Sequence, residues 1–236
     1  MQTLTPALEL KGISSMATKQ VLAELTKSYF AKTGTRVNVE SVGGVDAAKR
    51  VTAGEAFDIV LLGSDAIDKL IAAGHVQQGS RLDWVKSPIS IAVRTGAAAP
   101  SITSAQAVKD AVTQAHTISY STGPSGVYLN QLFERWGMTE QLKTKLVQPP
   151  PGTSVGSLIA SGKVDLGFQQ LSEMVGVAGI NVLGNLPQEI AYITTFSSGI
   201  PTAIGTEQSQ AIRGLQAYLA SPEAEAIKRE QGMYWA

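Results

Sequence analysis

The chain of 236 residues is 44% apolar and 16% charged, which is typical of globular proteins and allows one large domain or two lobes of roughly 100 residues each. Its 19 basic and 19 acidic residues cancel and no basic block stands out, so we expect no nucleic-acid partner. The absence of cysteine excludes disulfides, thiolate metal sites and a thiol nucleophile.

The first third of the chain predicts alternating strands and helices. A short strand precedes a helix whose apolar face comprises Val21, Leu22, Leu25, Tyr29 and Phe30. Gly34 stands where a helix C-terminal cap is expected. The stretch "RVNVESVGG" alternates like a strand, and a short helix follows that we expect to begin at Asp46, with this residue as its cap. A buried strand and another helix complete the segment, "FDIVLLGS" and "DAIDKLIAAGHV".

The remainder of the chain repeats this pattern. We predict a strand over 87–96, then a helix, a strand, a turn and a helix over 107–137. A final helix is predicted from about Glu207 to Gln231, because apolar residues recur along it at helical spacing.

An internal similarity indicates two related halves. The stretch "VDAAKRVTAGEAFDIVLLGSDAI" and the later "SVGSLIASGKVDLGFQQLSEMV" each combine a short helix, a glycine, a strand and a polar loop. Such units predict two α/β lobes, each a mixed, mostly parallel sheet flanked by helices. Ligands of open parallel sheets bind at the carboxyl ends of the strands, and two lobes can close around a ligand by hinge motion. We therefore expect a ligand cleft between the lobes.

Four turns fall at predicted strand ends. They are Ser14–Ser15, Gly43–Gly44–Val45, the segment "YSTGPSGV" with Ser121, Thr122, Ser125 and Gly126, and Gln169–Gln170. Helix starts with free amides and hydroxyls suit an anion, glycines allow close backbone approach, and glutamine amides can donate to a carboxylate. Each turn also has a plain structural alternative: a serine N-cap, a scaffold turn, or a surface loop.

The sequence gives little support for serine hydrolysis, metal binding or nucleotide binding. The segment "GTSVG" (152–156) matches a hydrolase nucleophile elbow, but prolines replace the expected preceding strand and both histidines come earlier in the chain. His75 and His116 have no partner at metal-ligand spacing, so we predict no metal site. No nucleotide-binding glycine loop is present, and we expect no cofactor.

The motifs "ISSM", "AKTGTRVNVES", "VTAGEAFDIVLLGSDAIDKL", "GPSGVY" and "GKVDLGF" together resemble the type II periplasmic substrate-binding proteins, in particular the molybdate-binding branch. The resemblance covers nearly the whole chain. It implies lobe 1 over 1–86 plus 193–236 and lobe 2 over 87–192, with crossing strands near 87–94 and 192–198. It further implies that Ser14, Ser15, the 43–45 turn, Ser125 and residue 170 face the ligand.

The sequence departs from the oxyanion-binding pattern of that branch. A serine expected in the second turn is replaced within "GGVD", and Gln170 stands where a tyrosine is common. Losing two donors would leave a buried oxyanion poorly compensated. The runs "LKGISSMATKQVLAELTKSYF", "SVGGVDAAKRV", "YSTGPSGVYL" and "GFQQLSE" are more similar to aconitate isomerases, a cofactor-free enzyme group that resembles the binding proteins of this branch. These enzymes move the double bond of trans-aconitate to give cis-aconitate.

Together these considerations predict a set of substrate-binding residues: Ser14, Ser15, Gly43, Gly44, Val45, Arg50, Ser121, Thr122, Ser125, Gly126, Gln169 and Gln170. A 1,3-proton shift also needs a base and groups that stabilise a dienolate-like charge. We consider Ser14, Ser15, Asp46 and Lys49 as catalytic candidates. The base itself stays open among Asp46, Lys19, Lys49, Asp65 and a serine or tyrosine hydroxyl.

Two functions therefore compete. We favour a cofactor-independent isomerase of trans- and cis-aconitate. The alternative is a substrate-binding protein that delivers an oxyanion or organic polycarboxylate to an ABC permease, since one cleft serves either role.

The sequence leaves two cellular locations open, the periplasm and the cytoplasm. No apolar run approaches the roughly 20 residues of a membrane helix, and the first twelve residues lack the pattern of a signal peptide. The resemblance implies a periplasmic protein whose export signal is absent from this sequence, and a cytoplasmic location stays open.

Overall fold

The structure is a computed structural model that describes residues 8–150 and 152–236. The chain divides into two compact units. Unit 1 comprises the chain up to Lys86 together with Thr195–Ala236, and unit 2 comprises Ser87–Thr194. The predicted lobes begin at residue 1, and residues 1–7 lie outside the described part of the chain.

The helices and strands follow one another in an α/β pattern. Unit 1 begins with β1 (Glu9–Ser15), α1 (Lys19–Thr33), β2 (Arg36–Val42), α2 (Gly44–Thr52), β3 (Ile59–Gly63) and α3 (Ser64–Ala72). The chain enters unit 2 within β4 (Leu82–Arg94). Unit 2 contains α4 (Ala105–Gln114), β5 (Ile118–Tyr120), α5 (Pro124–Arg135), α6 (Thr139–Leu142), α7 (Val155–Ala160), β6 (Leu166–Gln170) and β7 (Ile180–Asn185). The chain returns to unit 1 within β8 (Ile193–Gly199) and ends with α8 (Thr206–Leu219) and α9 (Glu225–Glu230).

The sheet of unit 1 is mixed, with strand order β2-β1-β3-β8. Strand β1 pairs in parallel with both β2 and β3, whereas β8 runs antiparallel to β3. The carboxyl ends of β1, β2 and β3 consequently meet at one edge of this sheet. That is the edge where ligands of open α/β sheets bind.

Helix α1 packs on this sheet through most of its predicted apolar face. Val21, Leu22, Leu25 and Tyr29 are buried, and Gly34 ends the helix in the left-handed conformation, with φ of 73°. The prediction for Phe30 was wrong, because this side chain is 43% exposed and its ring lies 5.2 Å from the Arg36 guanidinium. The neighbouring Tyr29 takes the inward position and packs against Tyr218, with ring centroids 5.2 Å apart.

The sheet of unit 2 is also mixed. Strands β5 and β6 are parallel, while β4 runs antiparallel to both β6 and β7. Parallel pairing is therefore more prominent in unit 1. The core of unit 2 includes Phe133 and Phe168, whose rings meet edge to face at 5.9 Å.

The C-terminal region is not the single helix that the sequence predicts. Helix α8 ends at Leu219, and a 3-10 turn at Pro222–Ala224 separates it from α9. Proline lacks an N–H and collides with the preceding helical turn, so the helix stops before Pro222. Within the described residues, we find no helix with both the length and the apolar character to cross a membrane.

Candidate functional site

Two adjacent serines end β1 in the interior of unit 1. The Ser14 hydroxyl lies 2.7 Å from the Ser41 hydroxyl at the end of β2, with which it is in register. The Ser15 hydroxyl is buried and has no hydrogen-bond partner among the described residues. Ser15 precedes a 3-10 turn without capping it through its side chain, so the simple N-cap interpretation does not hold. A buried hydroxyl without a partner is uncommon in proteins.

The glycine turn that follows β2 lies against Ser15. A Cβ atom at position 44 would lie 3.7 Å from the Cβ of Ser15. Helix α2 begins at Gly44 and has Gly43 as its N-cap, so the prediction that Asp46 caps the helix was wrong. No side chain caps α2, and its first amides are therefore available to an anion. We name Ser14, Ser15, Ser41 and the 43–45 turn the serine cluster of unit 1.

The charged residues of α2 are exposed or ion-paired, which does not favour a role in binding a ligand. Asp46 and Lys49 are exposed. The Arg50 guanidinium donates to Glu40 at 2.7 Å and to Glu55 at 2.6 Å, and these carboxylates raise the pKa of Arg50. Because its donors are used in this surface cluster, the geometry favours a scaffold role for Arg50. Asp65 and Lys19, in the first turns of α3 and α1, are likewise exposed.

In unit 2, a hydroxyl pair marks the start of α5. The Ser121 and buried Ser125 hydroxyls lie 2.9 Å apart, and Pro124 is the first helical residue, as predicted. Thr122 is exposed. Gly126 fits closely, since a Cβ atom there would lie 1.5 Å from the Ser121 carbonyl oxygen. Glycine is thus required at position 126 by the backbone itself.

Gln169 connects two neighbouring segments at the end of β6. Gln169 and Gln170 are the last residues of β6 and are buried, so the surface-loop alternative is excluded. The Gln169 amide nitrogen donates to Glu173 Oε1 at 2.8 Å, and its oxygen accepts from the Gly156 amide of α7 at 3.4 Å. Glu173 is partly buried, and burial of its carboxyl group raises its pKa to about 7, although the bond from Gln169 acts in the opposite direction.

Gln170 has partners on both strands that join the units. With its amide oxygen toward Thr194, it accepts from the Thr194 hydroxyl at 2.5 Å, and its nitrogen donates to the Ser87 carbonyl at 2.9 Å. All three residues belong to unit 2. This geometry gives Gln170 a structural role, and a contact between Gln170 and a ligand stays a prediction.

Ser121 directly follows β5, and Gln169 lies on the neighbouring strand β6. Tyr120 of β5 is in register with Phe168 of β6, so Ser121 and Gln169 are the next residues along two parallel strands. We name Ser121, Ser125, Gln169 and Glu173 the polar cluster of unit 2. Like the serine cluster of unit 1, it lies at the carboxyl ends of parallel strands.

The "GTSVG" segment forms a helix start and has no nucleophile elbow. Ser154 caps α7 by accepting from the Ser157 amide at 3.1 Å, and none of the described residues just before it forms a strand. Among the described residues, no group of three or more histidine, aspartate or glutamate side chains is placed to hold a metal ion.

Two residues of these clusters were not singled out in the sequence. Ser41 occupies the end of a strand whose alternation was recognised, and pairing with Ser14 gives it significance. Glu173 stands in a polar loop where an acid is unremarkable. The sequence signal for Glu173 is weak: two glutamines at a strand end, followed three residues later by this acid.

The fold defines the class of protein. The periplasmic molybdate-binding protein of Azotobacter vinelandii superposes with a TM-score of 0.79 and 19% identity, covering 96% of this chain and 99% of that one. The chain therefore has the type II periplasmic-binding-protein fold.

Sequence comparison identifies the family of the chain and its relatives. It belongs to the family of bacterial extracellular solute-binding proteins, which it matches over residues 10–234. It is 33% identical to an aconitate isomerase from Pseudomonas sp. over 97% of this chain and 88% of that protein. It is 27% identical to the molybdate-binding protein ModA of Azotobacter vinelandii over 76% of this chain and 71% of that protein.

Proposed function

We propose that the protein is an isomerase that interconverts trans-aconitate and cis-aconitate without a cofactor. The observation that carries this proposal is the 33% identity to an aconitate isomerase over 97% of the chain. The match to a molybdate-binding protein is weaker and shorter, at 27% over 76% of the chain.

The serine cluster of unit 1 supports a carboxylate ligand. It combines the unpaired Ser15 hydroxyl, the Ser14–Ser41 pair and the uncapped amides of α2. The 43–45 turn has no hydroxyl, and Val45 is 53% exposed. A carboxylate accepts hydrogen bonds from hydroxyls and backbone amides, and this cluster supplies both kinds of donor.

The reaction itself needs only proton transfer. A base removes a proton from the methylene carbon, and the negative charge spreads over the conjugated carboxylate. Protonation of the former vinylic carbon then completes the shift of the double bond. Fixed donors that face the developing charge lower the barrier, and hydroxyls and amides are suitable donors.

Family membership favours a second candidate. A solute-binding protein that delivers an anion or organic polycarboxylate to an ABC permease would use the same clusters, and fold alone does not separate the two functions. Under either function we propose a periplasmic location, which is typical of this fold class. The predicted ligand cleft between the lobes remains a prediction.

The direct test is a proton NMR time course of the purified protein with trans-aconitate in deuterated buffer, without added metal. We expect cis-aconitate to accumulate with deuterium in its new methylene group. A variant that combines Ser14→Ala, Ser15→Ala and Ser125→Ala should lose this activity, because it removes donors from both clusters.

The matched control is Ser101→Ala, which removes an exposed serine hydroxyl of unit 2. It should convert trans-aconitate at the wild-type rate. No conversion by ample wild-type protein would reject the isomerase and leave the transport function, to be examined with a ligand screen.

A further inference from the structure

We propose that Glu173 is the base that carries the proton in the reaction, an inference that rests on the proposed isomerase function. Glu173 lies three residues beyond the end of β6, in the 3-10 turn Leu171–Glu173. It thus stands at the strand ends that form the polar cluster of unit 2, beside groups suited to hold carboxylates.

The surroundings of Glu173 leave one of its oxygens free to react. Oε1 accepts from the Gln169 amide at 2.8 Å, whereas Oε2 has no hydrogen-bond partner among the described residues. No lysine, arginine or histidine of the described chain forms an ion pair with Glu173. A carboxylate without a cationic partner, in a partly buried position, keeps its basicity.

Gln169 fixes the orientation of this carboxylate. Its amide oxygen accepts from Gly156 in the first turn of α7 while its nitrogen donates to Glu173. The amide is therefore held at both ends and cannot rotate without losing a bond. Gln169 is a positioning residue in this arrangement, and Glu173 is the group that meets the substrate.

The other candidate bases lack such an environment. Asp46, Asp65 and Lys49 are exposed and lie in the first or last turns of short helices of unit 1. An exposed side chain of this kind is surrounded by water and is not enclosed with a substrate by the protein. Burial of the Glu173 carboxyl group is the feature that distinguishes it.

The proton balance needs no further reactant. Glu173 Oε2 takes a proton from the methylene carbon, and the electron pair of that C–H bond forms the new double bond. The electron pair of the old double bond moves to the former vinylic carbon, which receives the proton back from Glu173. The carboxyl group ends in its starting state, and solvent deuterium enters whenever the protonated group exchanges before return.

The test compares Glu173→Gln with wild type in the same NMR assay, and measures trans-aconitate binding by calorimetry. We expect Glu173→Gln to lower kcat by roughly 10²–10⁴-fold and to change Kd less than about threefold. Glu173→Asp, which keeps a base but shortens the side chain, should retain a measurable fraction of the activity. Glu134→Gln, an exposed site on α5, is the matched control and should behave as wild type.

The outcomes separate this inference from the proposed function. If wild type converts aconitate and Glu173→Gln converts it equally fast, Glu173 is not the base while the isomerase function stands. If Glu173→Gln loses binding together with turnover, Glu173 holds the substrate and the inference is overturned. If wild type itself is inactive, the function and the inference fall together.

Discussion

Gly126 shows how a single residue secures the polar cluster of unit 2. The first turn of α5 approaches the Ser121 carbonyl so closely that a Cβ atom at position 126 would lie 1.5 Å from its oxygen. The sequence drew attention to Gly126 as a ligand contact, whereas the structure explains it by steric fit.

We expect Gly126→Ala to lower the free energy of unfolding by roughly 3 kcal/mol, because the backbone must move to admit the methyl group. Urea denaturation followed by circular dichroism measures this change. Gly123→Ala is the control, since its Cβ would lie 3.7 Å from the nearest atom and its φ is −78°. An unchanged urea midpoint for Gly126→Ala would contradict the close approach of position 126 to the Ser121 carbonyl oxygen.

The raised pKa of Glu173 makes the stability of the protein depend on pH. Its pKa rises from 4.5 in the unfolded chain to about 7 after folding. The native state therefore binds more protons between these values, and stability falls as pH rises through this window. The penalty approaches roughly 3 kcal/mol above pH 7.

Glu173→Gln removes the titrating group, so the variant should gain stability relative to wild type as the pH increases. Its melting temperature relative to wild type should rise by roughly 5 °C between pH 5 and pH 8. Scanning calorimetry at both pH values measures this difference, and Glu134→Gln should show no such trend. A constant difference would mean that the Glu173 carboxyl group is not desolvated.

At the scale of elements, the C-terminal helix is fixed to β4 by a buried lysine. Lys228 of α9 donates to the Trp84 carbonyl at 2.7 Å and is fully buried, and burial lowers its pKa to about 8. Tyr234 continues the contact by pairing with Lys86, the last residue of unit 1 before the chain enters unit 2. The end of the chain thus stabilises β4 where it leaves unit 1.

Lys228 provides a prediction with the opposite sign from Glu173. Its folded pKa lies below the unfolded value of 10.5, so folding is penalised below about pH 8 and the penalty disappears as the pH rises toward 10.5. Relative to Lys228→Met, wild type should gain about 2 kcal/mol between pH 7.5 and pH 10. Thermal melts of both proteins measure this gain. Lys69→Met, at an exposed site of α3, should show none.

At the scale of the whole molecule, ligand binding distinguishes a site for a polycarboxylate from a site for a small oxyanion. A ligand at one hundred times its Kd stabilises the folded state by about 2.7 kcal/mol. For a protein of this size, the melting temperature should increase by roughly 5–10 °C. A polycarboxylate site, which the isomerase requires, predicts this increase with trans-aconitate and none with molybdate, as measured by differential scanning fluorimetry.

The same measurement tests the serine cluster of unit 1. Ser15→Ala should reduce the shift caused by trans-aconitate, because it removes the buried unpaired hydroxyl. Ser101→Ala should leave the shift unchanged. A large shift with molybdate and none with aconitate would favour the transport function.

By itself, the sequence determined the α/β fold, the family and the strand-end turns. Its strongest signals are local: the alternation of β2, the apolar face of α1 and the glycine that ends this helix. Such signals depend on the period of one segment and survive without knowledge of its neighbours. The family resemblance added the expectation that Ser14, Ser15 and Ser125 face the ligand, and the preference for aconitate over molybdate.

Only the tertiary structure decided which side chains are engaged and which are free. Arg50 is held by two carboxylates, Gln170 by two strands, and Glu173 is partly buried beside Gln169. The break before Pro222 and the outward position of Phe30 also emerged only there. The physical reason is that burial and hydrogen-bond partners arise between segments distant in the chain, and the pattern of one segment does not contain them.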